Sequence, residues 1–370
     1  MKFSTTKEAL FSALNETNKV IPIRTTLPVL SCVLLKAEKE ELTIIATDLE
    51  QTIVSKIKTK TTQEGQIALP NHRFLEIVAA LPSGEITIEA KEDLEVEINS
   101  IHGTYKIIGK EPTEYPETPT LKQEQKLKLK GIDFLDIINH TLFATSKDDL
   151  KPALCGVYLN IQKEQLTAVA TDGHRLVKYK KTLGEKNPEG AIIVPGKFFS
   201  ILKNTINTEE DVYINISENH IDVTEKNTTT ITRIIKEKFP DFNSVIPEEL
   251  NIKASVNSTE ILNAIKRVVI FSNKTTKQIN LTFDNNEIIV STEDQETRSS
   301  AKERVRCEYQ NKSLSVSYNA QYLKEVIQHL DHSTTEVFLS GPLTAAVFKP
   351  KEENTKTDLV SLLMPLRTKN

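Results

Sequence analysis

Apolar and polar positions along this chain switch between two periods, and the order of the switches repeats. From Thr6 to Leu14, Leu10 and Leu14 share one face behind Thr6, the pattern of a short amphipathic helix with a hydroxyl N-cap. Leu30 to Leu35, Leu42 to Thr47 and Gln51 to Ile57 have strand composition, with a turn at Ala37 to Glu40. After Ile67-Ala68-Leu69-Pro70 a second helix is predicted over Asn71 to Leu81, stopped by Pro82-Ser83-Gly84. Ile86 to Ala90, Leu94 to Asn99 and Gly103 to Ile108 then read as three more strands. The segment is two β-α-β-β-β halves in succession.

The same phrases return twice. Ala46-Thr47-Asp48-Leu49-Glu50 recurs 124 residues later as Ala170-Thr171-Asp172-Gly173-His174, and more weakly as Ser291-Thr292-Glu293-Asp294-Gln295. The helical phrase from Phe74 recurs from Phe198 and from Tyr322, each 124 residues on. A proline follows an aromatic or apolar residue at Tyr115-Pro116, Phe239-Pro240 and Met364-Pro365. Repeats of this length are whole domains, because solenoid units run to roughly 20–50 residues. The fold class is therefore α+β, with three repeated domains at 1–120, 128–247 and 250–370, six half-units in all.

Composition narrows the class. With 38% hydrophobic and 26% charged residues the chain is an ordinary globular protein. Cys32, Cys155 and Cys307 show no metal-ligand or CxxC spacing and are expected as buried free thiols in a reducing compartment. The start Met1-Lys2-Phe3 has no signal pattern, and no apolar run approaches a membrane span, so a cytoplasmic protein is expected. The net charge of −4 still permits one basic face. His72, Arg73, Lys197, Lys203, Lys266, Arg267 and Lys324 lie opposite the apolar faces of their helices. Repeated with one orientation, they form a surface suited to phosphate backbone. No aromatic platform accompanies them, which favours duplex held without sequence choice over stacked single strands.

Enzymatic patterns are absent: there is no GxxxxGK[ST], GxGxxG, HExxH or GxSxG, and only 11 glycines. Asp172 and His174 resemble a base with its orienter, yet no nucleophile accompanies them. Neither catalysis, a metal nor a cofactor is expected.

Leu27-Pro28-Val29-Leu30, Ala170-Thr171-Asp172-Gly173-His174-Arg175-Leu176, Ile193-Val194-Pro195, Phe239-Pro240-Asp241-Phe242 and Met364-Pro365-Leu366-Arg367 together resemble the bacterial DNA sliding clamp, the beta subunit of DNA polymerase III holoenzyme. The resemblance spans the whole chain. It implies a head-to-tail homodimer closed into a ring around duplex DNA, with helices inside and antiparallel sheets outside. It also implies a pocket for short apolar peptides of the polymerase, the clamp loader and repair proteins. Carried over, that pocket comprises Leu154, Thr171, Gly173, His174, Arg175, Leu176, Pro240, Val245, Leu362, Met364, Pro365, Leu366 and Arg367. Arg175 and Arg367 are expected to hold peptide carbonyls or a carboxylate. The dimer positions are Tyr105 and Ile107 against Ile270 and Phe271. Arg24 and Arg73 match DNA-facing positions, while Lys197, Lys203, Lys266, Arg267 and Lys274 are expected at DNA from helix faces and a loop.

The chain departs from the family at Ser244, where relatives often carry a basic residue, and in the threonine-rich loop 273–278. Thr368-Lys369-Asn370 also extends past the usual ending. Two readings remain: a DNA-encircling processivity clamp, and a clamp-like scaffold that binds partner peptides without being the replicative ring.

Overall fold

Each predicted half folds as a helix laid on antiparallel strands. The computed structural model describes residues 1–119, 125–184, 187–247, 249–352 and 356–367. The helices are α1 (Lys7–Thr17), α2 (Asn71–Ala80), α3 (Gly131–Thr141), α4 (Gly196–Leu202), α5 (Ser258–Val268) and α6 (Ala320–Gln328). Thr6 caps α1 as expected, its hydroxyl accepting the Ala9 N–H at 3.3 Å. Asn257 and Asn319 do the same for α5 and α6, supplying acceptors to N–H groups that have no partner in the first turn. The extension Thr368-Lys369-Asn370 lies outside the described residues.

The chain divides into two compact units, Met1–Leu135 with Lys197–Ile234, and Asp136–Gly196 with Ile235–Asn370. The division runs through the second repeat because sheets are shared between halves of neighbouring repeats. In the first unit, Thr228–Arg233 of the second repeat pairs antiparallel with Gln51–Lys58 of the first, Thr232 lying opposite Gln51. This pairing completes an eight-stranded sheet beside a separate five-stranded one. In the second unit, Arg175–Thr182 pairs with the C-terminal strand Thr357–Leu363, Arg175 opposite Leu363, within a twelve-stranded sheet.

Alternation along the strands places one face inward, and the helices cover it. In the first unit Phe3, Leu10, Leu14, Leu35, Leu42 and Phe74 are wholly buried in one cluster. Each such side chain contributes about 2 kcal/mol of transfer free energy.

Two local departures have physical causes, and a third concerns the cysteines. Pro28 fixes its backbone angle and lacks an N–H, so Pro28–Ser31 is a 3-10 turn and the strand begins at Cys32. Lys60–Gln63 is an additional strand, too polar to show an alternation, held by pairing with the N-terminal strand Lys2–Thr6. Cys32 is buried as expected, while Cys155 and Cys307 are only half-buried; all three are free thiols.

Two of the strands with unpaired sides bear on the expected contact between copies. Gly103–Ile108 is the last strand of the five-stranded sheet, and its expected contact residue Ile107 is 6% exposed and belongs to the first unit's own core. The period-two alternation turns it inward, and Tyr105 (40%) and Ile108 (63%) are the apolar side chains the edge offers. In the second unit, Ser299–Tyr309 pairs along one side from Ser299 to Arg306, but with Ile252–Asn257 only at Cys307 to Tyr309. Ile270 and Phe271, 75% and 43% exposed, follow α5 in the same unit. Among the described residues no helix is long and apolar enough to cross a membrane.

Candidate functional site

The phrase Ala170 to Arg175 forms a tight turn held by its own side chains. The Thr171 hydroxyl donates to the Arg175 carbonyl at 2.6 Å and accepts the Gly173 N–H at 3.1 Å. Asp172 Oδ1 accepts the His174 and Arg175 N–H groups at 2.9 and 3.0 Å. Gly173 sits at φ +88°, a conformation that a side chain rarely adopts. The turn leaves His174 exposed, its ring stacked on Tyr322 at 5.7 Å and 18°. The Met364 N–H donates to the His174 carbonyl at 2.8 Å, which draws the C-terminal segment onto the turn. The Leu366 N–H continues it by donating to Ser317 at 2.8 Å.

Beneath the turn lies an apolar floor. Leu176 and Leu362 are cross-strand partners, 4% and 3% exposed, in one cluster with Val169, Ile193, Phe239, Val347 and Val360. The segment after Phe239 is fixed over this sheet by aromatic contacts, Tyr158 stacking on Phe239 at 5.1 Å and meeting Phe242 at 5.9 Å. Lys178 sits over the Phe242 ring at 5.4 Å and donates to Asn243 Oδ1 at 3.2 Å. Burial, with help from Lys180, pushes its ammonium below the usual lysine range. Ser244 donates to the Asp241 carbonyl at 2.8 Å, so this departure from the family serves the loop's own turn.

Floor and rim therefore separate. Leu176 and Leu362 are buried, while Val245 (51%) and Met364 (46%) are exposed and Leu154, Pro365 and Leu366 are half-buried. Pro240 and Arg367 are exposed beside them in sequence. Aliphatic walls with an adaptable methionine accept apolar side chains of varied shape.

Arg175 corrects the expectation placed on it. It is 7% exposed and its guanidinium is already occupied. Nε donates to Asp172 Oδ2 at 3.1 Å, Nη2 to the Phe143 carbonyl at 2.5 Å, and Nη1 to Glu325. Its plane lies between Phe143 and Tyr322, at 5.1 and 4.7 Å from their ring centres. Burial pushes the Glu325 carboxyl up, but hydrogen bonds from Arg175 and Gln321 outweigh it and hold the group below its usual range. Arg175 is a strut beneath the turn, which leaves Arg367 as the exposed guanidinium of the expected pair. Phe143, Tyr322 and Glu325 were not legible as site residues. Tyr322 had one signal, being the tyrosine where the repeated helical phrase otherwise has phenylalanine.

The basic residues also separate. Arg24, Arg73, Lys203, Lys266 and Lys274 are exposed. Lys197 pairs with Asp48 at 2.5 Å, and Arg267 holds both oxygens of Glu303 at 2.9 and 2.7 Å. That guanidinium keeps the Glu303 carboxyl below its usual range. Both expected DNA contacts are thus already matched by carboxylates of the chain itself.

Comparison with known proteins gives the family. Three family models match end to end: DNA polymerase III beta subunit, N-terminal domain (residues 1–119), central domain (128–241) and C-terminal domain (243–367). The chain belongs to the DNA polymerase III beta subunit family. The Beta sliding clamp of Staphylococcus epidermidis is 27% identical over the full length of both chains. The crystal structure of the DNA polymerase sliding clamp from Bacillus subtilis is 25% identical, covers all of both chains and has a TM-score of 0.94. A Pseudomonas aeruginosa sliding clamp solved with griselimycin bound is 25% identical, also over all of both chains, with a TM-score of 0.93. The fold is that of three clamp domains built from antiparallel sheets and few helices. The family is a non-catalytic processivity factor, an accessory subunit of the polymerase.

Proposed function

We propose that two copies of this chain close head to tail into a ring around duplex DNA. The ring tethers polymerase, loader and repair proteins through the groove formed by the Ala170–Arg175 turn, the arm after Phe239 and the C-terminal segment. The observation that carries this reading is that the chain offers two different strands with an unpaired side and exposed apolar residues nearby. The strand Gly103–Ile108 ends one sheet with Tyr105 and Ile108 exposed. Residues 299–306 leave one side unpaired, and Ser299 donates to the carbonyl of exposed Phe271 at 3.2 Å, next to exposed Ile270. Two different surfaces joined this way give a heterologous contact, which makes a closed ring when the rotation closes. Strand addition across the boundary satisfies the backbone groups that each edge leaves open.

Exposed Arg24, Arg73, Lys203, Lys266 and Lys274 face the phosphates in this reading. Met364, Val245, Leu154 and His174 receive the partner's apolar side chains, and Arg367 its carbonyls or carboxylate. The relative solved with griselimycin supports a ligand-accepting clamp of this kind. A replication protein of this type works in the cytoplasm.

Loading onto nicked circular and linearised DNA tests the reading. A ring stays on circles through a high-salt wash and leaves linear molecules by their ends, because charge contacts alone weaken equally on both. Equal loss from both, with peptide binding intact and sensitive to Met364→Ala, would establish the scaffold reading instead.

A further inference from the structure

The first unit contains a second copy of the turn, and it too borders a groove. The Thr47 hydroxyl donates to the Gln51 carbonyl at 2.8 Å and accepts the Leu49 N–H at 3.1 Å. Asp48 Oδ1 accepts the Glu50 and Gln51 N–H groups at 3.1 and 2.7 Å. These are the hydrogen bonds of the Thr171-Asp172 turn, bond for bond. The neighbouring elements also correspond. Thr232 faces Gln51 as Leu363 faces Arg175, and Tyr115-Pro116 repeats Phe239-Pro240. A cavity of about 510 Å³ opens here, with Leu49, Pro116, Pro119 and Ile231 among its lining residues.

Three features point to an occupant. Leu49 occupies the glycine position of the turn at φ +79° and is nevertheless 51% exposed. A leucine in the left-handed region is strained, and strain kept without burial is found where a side chain has work to do. His220, which lines the groove, has a ring Nε2 shut off from solvent and without a hydrogen-bond partner among the described residues. Arg233 lies opposite it in the sheet register, exposed, at the place that corresponds to Met364 in the other copy. Burial and Arg233 both push the His220 imidazole below its usual range, so at neutral pH it is an uncharged hydrogen-bonding group.

The other charged groups of the lining are Glu50, 3.8 Å from Lys197, and Glu117 on the proline arm. Among the described residues the one cation of the lining is therefore Arg233, with the neutral His220 imidazole beside it in the sheet register, and Glu117 is suited to accept backbone N–H groups.

We propose that this groove is a second docking site, for an extended peptide that places an apolar side chain against Leu49 and the prolines and a carboxylate on Arg233 and His220. Only the shape of the turn is shared with the peptide-pocket reading, and the experiment separates the two. The probe is fluorescein-Gly-Leu-Asp-Leu-amide, with its Asp-to-Lys counterpart, titrated by anisotropy into the full chain carrying His174→Ala and Met364→Ala. The expected result is saturable binding of the acidic probe, roughly tenfold weaker for the lysine probe and for Arg233→Glu. Leu49→Gly is expected to weaken binding to a similar degree while leaving the melting temperature equal or higher, since it relieves the strained turn. A merely structural Leu49 would leave binding unchanged. The proposal is overturned if this background binds neither probe, or if Arg233→Glu and Leu49→Gly leave the affinity as it was. Failure of the first pocket shows differently, as loading on circular DNA and capture of a polymerase that stay unchanged when His174 and Met364 alone are replaced.

Discussion

The two Thr-Asp turns share a backbone and differ in what they hold. In both, Asp Oδ1 caps the turn and Oδ2 takes a cation. For Asp172 that cation is Arg175, 7% exposed and bound on every side; for Asp48 it is Lys197, 59% exposed. The position of Arg175 is filled in the first copy by Gln51, which is 1% exposed with its Oε1 without a partner among the described residues. Gly173 corresponds to Leu49, and Met364 to Arg233. Repetition therefore supplies the scaffold, and a few side chains at matched positions decide whether a turn anchors a buried ionic network or stands free.

The largest test of that difference is truncation of the residue under each turn. Arg175→Ala leaves Asp172 and Glu325 without their cation and should cost about 3 kcal/mol in denaturant unfolding. Gln51→Ala removes a group already short of a partner and should cost about 1 kcal/mol or less. Equal losses would mean that the ionic network adds nothing. The same network sets an acid response. The Glu325 carboxyl is held below its ordinary 4.5 in the folded chain. Its contribution is therefore complete above that pH and is lost as pH falls through the lower folded value. Glu325→Gln should flatten that part of the stability profile below about pH 4.5, read from urea midpoints, with the profile at pH 7 to 8 unchanged in slope.

An intermediate effect comes from exchanging the left-handed residues. Gly173→Leu imposes on the second turn the strain Leu49 already bears in the first, and its Cβ gains no contact within 4 Å to offset it. It should destabilise by about 1–2 kcal/mol in thermal or denaturant melts. A silent Gly173→Leu would show that the φ of this turn carries no cost and would weaken the case built on Leu49.

Much of this was readable beforehand for a physical reason: turns and caps are local. Thr6, the Thr-Asp phrase and the proline after an aromatic residue announce themselves within a few positions, and the repeat multiplies each signal. His174 and Met364, exposed at the second turn, could be singled out because those positions break the repeat. What stayed hidden depends on distant partners. Nothing near Arg175 in sequence announces Glu325 or Phe143, 150 and 32 residues away, which convert an expected ligand group into a strut. Ile107 and Ile108 are adjacent and equally apolar, and only the register of Gly103–Ile108 against Glu95–Ser100 turns the first inward. The cations Lys197 and Arg267 were read from helix faces, where a carboxylate supplied by another element leaves no trace.

The smallest effect concerns those cations. Lys197 is mostly exposed, so losing its pair with Asp48 should shift stability within about 0.5 kcal/mol. Its charge is also already matched by Asp48 at 2.5 Å, with Glu50 near. Each lysine that neutralises a phosphate contributes roughly one unit to the salt dependence of DNA binding. Lys266→Ala should lower that slope by about one, whereas Lys197→Ala should leave it nearly unchanged, measured as equilibrium binding to a short linear duplex across a salt series. A full unit lost with Lys197→Ala would mean that phosphate displaces Asp48. The first turn would then release its cation to DNA, which the second, with Arg175 buried, has no means to do.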